Sequence, residues 1–220
     1  RNAQLHPVDT VAGDWKEADA ASVREFSAAA YYYGKTLRQS LGVPVGLIVT
    51  SWGGSACEAW INGNLIKSDW LKAFPKLHTP WNEADVKKYQ QRCPSALYNG
   101  MLHPLIGYTM KGVIWYQGES NAHNMYAHEQ LFRFLVDSWR SNWKNPEMPF
   151  YFVQLSSLNR PSWTWFRDSQ LRLMKSIPNT GMAVSSDQGD SLDVHPTHKQ
   201  PVGERLGRWA LNQTYGHAVT

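Results

Sequence analysis

The sequence predicts a three-layer α/β/α fold around a parallel sheet, and three observations point to it. Short apolar runs of strand length alternate along the chain with amphipathic stretches of helical length. The first run, Pro44 to Thr50, is continuously apolar, as in a parallel strand buried on both faces. The runs end in short polar or glycine-containing loops, and no Pro- or Gly-rich linker divides the chain.

In order, Arg1 to Ala21 reads as irregular and polar. Ser22 to Leu41 reads as a helix, with Ser22 as cap, Glu25 completing a capping box, and Val23, Phe26, Ala30, Tyr33 and Leu37 near helical spacing. Gly42 ends it, and the strand Pro44 to Thr50 follows. The charged, Trp- and Lys-rich stretch Asn62 to Arg92 reads as surface helices and loops inserted beside an active site. A short helix from Leu97 to Ile106 leads to a strand at Gly112 to Tyr116. Helix Tyr126 to Trp143, strand Pro149 to Leu155, helix Trp165 to Ile177, strand Gly181 to Ser185 and helix Gln200 to Tyr215 complete the pattern.

Composition excludes several classes. Charged residues make up 18% and hydrophobic residues 42% of the 220, which argues against disorder. The net charge of +4 is spread without a basic run, so nucleic acid is not an expected partner. No apolar stretch approaches the roughly 20 residues of a membrane span. The chain opens at Arg1 with neither an initiator Met nor a signal peptide, and we expect a processed or trimmed chain. Cys57 and Cys93 are compatible with a disulfide, two buried thiols or a bond to another chain. Cys57 follows a Gly-Gly turn, where a helix N-terminus could lower its pKa, but a buried or bridged cysteine is the preferred reading. The 11 tryptophans would suit sugar stacking, but most tryptophans serve packing and the count alone is weak evidence for a sugar site.

Three loops carry residues fit for ester hydrolysis. Ligands of open parallel sheets sit beyond the C-terminal strand ends, and each loop follows a predicted strand. Ser51-Trp-Gly-Gly-Ser55 offers unobstructed backbone N–H groups at Gly53 and Gly54. Gln117-Gly-Glu-Ser-Asn121 adds the Asn121 amide. Asp193-Val-His-Pro196 places a carboxylate two residues from an imidazole. Such donors stabilise a tetrahedral oxyanion, a His takes a serine's proton, and an Asp fixes the His tautomer. Taken singly, each motif could be a turn, a helix cap or a solvated loop. No His, Cys and carboxylate group has metal-ligand spacing, and no cofactor is expected.

Together the motifs are far more specific. Val43-Pro-Val-Gly-Leu-Ile48 with Ser51-Trp-Gly-Gly-Ser55 and Glu58-Ala-Trp60 resembles a block of the sialate O-acetylesterases. So does Leu97-Tyr-Asn-Gly-Met101 with Pro104-Leu-Ile106 and Lys111 to Asn121, and so does Asp193-Val-His-Pro196 with Lys199 and Gly203-Glu-Arg-Leu206. The resemblance runs from about Asp14 to the C-terminus. It implies the SGNH-hydrolase (flavodoxin-like) fold and deacetylation of sugars. It implies His195 as general base with Asp193 as partner. Gly54, with Gly53 as the alternative, and Asn121 then belong to the oxyanion hole, and Gln117 and Glu119 shape the acetyl pocket or hold its loop.

The resemblance also implies a nucleophilic serine in a block after the family's first strand, and no such block lies between Arg1 and Leu47. Ser51, Ser55 and Ser120 sit in blocks with other assigned work. The family's first strand lies inside the sheet, and its absence would leave interior backbone groups unpaired. We therefore expect one esterase domain over residues 1 to 220 whose nucleophile lies upstream, in a preceding segment or a separate N-terminal fragment. The substrate expected is an O-acetylated sugar or glycan: an O-acetyl sialic acid, or equally acetylated xylan or another plant polysaccharide. Glycan esterases of this kind are often exported, and export is the expectation here. The competing reading is a glycan-binding module that has lost its nucleophile.

Overall fold

The computed structural model describes residues 1–65 and 81–218. The chain forms two compact units. One comprises Arg1–Ala12, Thr50–Thr109 and Gln117–Glu147, and the other Gly13–Val49, Met110–Tyr116 and Met148–Thr220.

The second unit holds the sheet. Strands β1 (Val113–Trp115), β2 (Phe150–Val153) and β3 (Thr180–Ala183) are parallel and lie in the order β1-β2-β3. Val113 pairs with Phe150, and Phe150 with Thr180. Side chains alternate between the faces of a strand. Tyr151, Val153 and Ala183 accordingly share one cluster with Ala29 and Leu37 of helix α1 (Ala28–Leu41) and with Val202, Leu206 and Ala210 of the C-terminal helix (Gln200–Gln213). Phe150 and Phe152, which point the other way, are also buried, so both faces of β2 are covered. The two helices approach closely because the C-terminal one carries Gly203, where an added Cβ would lie 2.6 Å from the Ala29 carbonyl oxygen and from Tyr32 Cβ. That helix also closes the outer edge of β3. Trp209 Nε1 donates to the Met182 carbonyl at 3.0 Å and Arg205 Nη1 to that of Val184 at 2.7 Å. Occupying these carbonyls makes the edge a poorer template for another strand.

Two expectations need correction here. The helix predicted from Ser22 is broken. Ser22–Glu25 is a single 3-10 turn, and α1 starts at Ala28 with Ser27 as its cap, accepting from the Ala30 N–H at 3.3 Å. Ser22 Oγ instead donates to the Glu17 carbonyl, so it is spent on the preceding turn. Gly42 ends α1 as expected, with φ of 69°. The second correction concerns Pro44 to Thr50, which is not a strand. A parallel strand exists only through a hydrogen-bonded neighbour, however apolar its sequence. Here Ile48 and Val49 remain 40% and 39% exposed, although Val45 packs against the α1 cluster.

The first unit is built on turns and on helices α2 (Glu83–Tyr89) and α3 (Met125–Asn142). α2 opens with a reciprocal capping box between Asn82 and Asp85. α3 buries Leu131, Leu135 and Trp139, four residues apart on one face. The predicted helix at Leu97 to Ile106 is a π-helical turn, Tyr98–Leu102, followed by a 3-10 turn, His103–Leu105. Pro104 lacks the N–H that an α-helix would need there. The N-terminal arm is irregular yet anchored, since Asn99 Nδ2 donates to the Gln4 and Leu5 carbonyls. Of the stretch Asn62 to Arg92, residues 66–80 lie outside the described residues; the rest holds α2 and short 3-10 turns. In the second unit, α4 (Trp163–Ser176) precedes β3, and the C-terminal helix named above is α5. No helix among the described residues is long and apolar enough to cross a membrane.

Candidate active site

Trp52 to Ser55 form a tight turn closed by the Ser55 N–H on the Trp52 carbonyl at 3.2 Å. Gly54 has φ of 73°, a left-handed conformation that disfavours any residue with a Cβ. Gly53 and Gly54 are exposed, and their N–H groups meet no acceptor among the described residues. The turn is tied to the second loop by Ser120 Oγ, which donates to the Gly54 carbonyl at 3.1 Å.

Asn121 is the hub of that second loop. Its Oδ1 accepts from the Cys57 N–H at 2.9 Å and from Gln117 Nε2 at 2.8 Å. Its Nδ2 donates to Glu58 Oε2 at 3.0 Å. Gln117 Nε2 also donates to the Ser55 carbonyl at 3.0 Å, so Gln117 stitches the two loops together. Gln117 Oε1 is buried without a partner among the described residues. Glu119 acts locally, its Oε2 accepting from the Gly118 N–H at 3.0 Å. Gly53, Gly54, Gln117, Glu119 and Asn121 thus belong to one hydrogen-bonded assembly in the first unit. Sequence reasoning missed Glu58 as a member, although Glu58-Ala-Trp60 was in view as a motif.

Asp193 and His195 belong to the second unit. Asp193 Oδ1 accepts from the His195 N–H at 2.8 Å and lies 3.4 Å from His195 Nδ1. The carboxylate therefore faces Nδ1 and leaves Nε2 for a substrate or nucleophile. Asp190 fixes the start of this loop by accepting from the Leu192 and Asp193 N–H groups at 2.7 and 3.3 Å. The side chains of His195 and Asp193 are 87% and 61% exposed. Nearby in sequence, Lys199 Nζ donates to Tyr116 Oη at 3.2 Å and lies over the same ring.

Cys57 and Cys93 are both free and buried. Burial pushes the Cys57 thiol well up and the Cys93 thiol up to about 11. The turn after Gly54 therefore does not activate Cys57, contrary to the effect a helix N-terminus could have had. Among the described residues, no group of three His, Cys, Asp or Glu side chains could hold a metal ion.

Solved structures place the fold. A carbohydrate acetylesterase from Xanthomonas citri matches with a TM-score of 0.84 and 35% identity, over 100% of this chain and 48% of its own. An Arabidopsis thaliana protein shares the fold at a TM-score of 0.53 and 20% identity, over 83% of this chain and 67% of its own. The fold is α/β of the SGNH-hydrolase type. The model of the family described as carbohydrate esterase, sialic acid-specific acetylesterase, matches residues 10–212, and the chain belongs to that family. Sialate O-acetylesterase of Homo sapiens is 34% identical over 213 residues, covering 86% of this chain and 39% of the relative. That of Rattus norvegicus is 30% identical over 263 residues, covering 97% and 48%. The chain thus spans less than half the length of these relatives.

Proposed function

We propose that this chain supplies the base and the oxyanion donors of a serine-type carbohydrate O-acetylesterase. The serine would come from a segment preceding Arg1 or from a separate N-terminal fragment. In the first half-reaction the serine oxygen attacks the acetyl carbonyl while His195 Nε2 takes its proton. That proton passes to the leaving sugar oxygen, and an acetyl-serine remains. Water then repeats the sequence, with His195 again as base, and acetate leaves. Asp193 holds Nδ1, while the N–H groups of Gly53 or Gly54 and the Asn121 amide receive the negative oxygen. Gln117 joins their loops and offers Oε1 to a substrate hydroxyl, and Glu119 holds the Gly118 turn.

The observation that carries this reading is the assembly around Asn121. Two glycine N–H groups without acceptors among the described residues and an oriented amide lie on two loops joined by hydrogen bonds. The short reach from Asp193 to His195 and the chain's place in the acetylesterase family support it. The apolar run Pro44 to Thr50, which pairs with no strand among the described residues, supports a strand contributed from upstream. O-acetylated sialic acids and acetylated xylans both fit, because the chemistry described acts on the acetyl end.

The test is acetate release from an acetylated sugar by the full-length protein that carries this chain. His195→Ala is expected to lower kcat by roughly 10⁴-fold, and Asn121→Ala by about 10²- to 10³-fold. A folded full-length protein that binds the glycan without releasing acetate would favour the binding-module reading instead.

A further inference from the structure

We propose that Glu58 is a positioning residue for the Asn121 amide; the proposal rests on the oxyanion role given to Asn121 above. An amide can sit in its pocket either way round, and only one orientation presents N–H to an oxyanion. The bonds to Asn121 decide between them. The Cys57 backbone N–H can only donate, so the atom 2.9 Å from it must be the amide oxygen. Gln117 Nε2 donates to the same oxygen. The nitrogen must then face Glu58 Oε2, 3.0 Å away, and a carboxylate accepts there without competition. One Nδ2 hydrogen is held, and the second, with no acceptor among the described residues, has its direction fixed by the planarity of the group.

Glu58 is itself well founded. It lies on the 3-10 turn Cys57–Trp60, so one turn supplies both the N–H that selects the oxygen and the carboxylate that selects the nitrogen. Its carbonyl accepts from the Ser95 N–H at 3.0 Å, and Trp60 anchors the end of the turn through Nε1 to Ser55 Oγ at 3.0 Å. Asn121 is 7% exposed, so water cannot readily substitute for a lost partner. Removing Glu58 frees the amide to rotate about its last bond, and misplacing a catalytic donor by about 1 Å can cost up to 10²-fold in rate.

The experiment is a kinetic cycle on the full-length protein with an acetyl ester, thermal melting being followed in parallel. Glu58→Ala should lower kcat by about 10-fold or more with KM unchanged. Glu58→Gln keeps an acceptor at the same reach and should stay within about 3-fold of the parent. Glu58→Asp, which withdraws the carboxylate by one methylene, should fall between them, and it carries the test if Glu58→Ala does not fold. In an Asn121→Ala background, Glu58→Ala should have no further effect on kcat. Equal losses in the two backgrounds, or a parent-like kcat for both Glu58→Ala and Glu58→Asp, would overturn the proposal and leave the oxyanion reading standing. An unchanged kcat in Asn121→Ala alone would sink that reading and the proposal with it.

Discussion

Acidification should destabilise this protein through His128. The ring sits on α3, 1% exposed and 5.9 Å from the ring of Phe132. Burial pushes its pKa down from 6.5 to about 3. The folded state therefore keeps the imidazole neutral over a range in which the unfolded chain protonates it. Stability from this site is fully present above pH 6.5 and is lost as pH falls toward 3. The slope is about 1.4 kcal/mol per pH unit, so the loss by pH 5 is about 2 kcal/mol. That is a large part of a net stability of roughly 5–15 kcal/mol. Urea denaturation at pH 7 and pH 5, comparing the parent with His128→Phe, isolates the term, because the other titrating groups are common to both. The parent should lose about 2 kcal/mol more than the variant across that interval. Equal losses would refute the claim that the fold holds His128 neutral.

Gly203→Ala would drive a methyl into the Ala29 carbonyl and Tyr32. It should cost about 1–3 kcal/mol, read as a lower Tm, and a parent-like Tm would contradict the close contact of α1 and α5. Gly54→Ala puts a Cβ at φ of 73° and should cost about 1 kcal/mol in urea denaturation, with no change meaning that the turn relaxes freely. Cys57 and Cys93 should resist a thiol reagent in the folded protein and both titrate in denaturant. Reaction of either in the folded state would show that the thiols are not buried as described.

Much of the fold was legible because its signals are local. The stripe Leu131, Leu135, Trp139 announces α3 whatever surrounds it, and Gly42 ends α1 by its own conformational freedom. Pro44 to Thr50 misled because ladder formation is not local. Its apolar side chains satisfy the pattern, but its backbone needs a neighbour that the pattern cannot supply. The start of α1 misled for a related reason. Ser22 and Ser27 are equally good caps on paper, and the bonds of Ser22 to the Glu17–Asp19 turn decided between them. In the candidate site, the two-residue spacing of Asp193 and His195 left a solvated loop open, and it was the family resemblance that implied their pairing. The tie between Gln117 and Asn121 was within reach, four residues apart. The part played by Glu58 was not, because it lies 63 residues from Asn121 and only the folded loop joins them.

We propose that His195 and the Asn121 amide serve a serine upstream of Arg1. The most direct measurement is to label the full-length protein with a fluorophosphonate and locate the modified serine by peptide mass spectrometry. A single modified serine upstream of Arg1 is expected, with labelling abolished in His195→Ala. Modification of Ser51, Ser55 or Ser120 would contradict the proposal, and would place the nucleophile within the loops assigned here to the oxyanion.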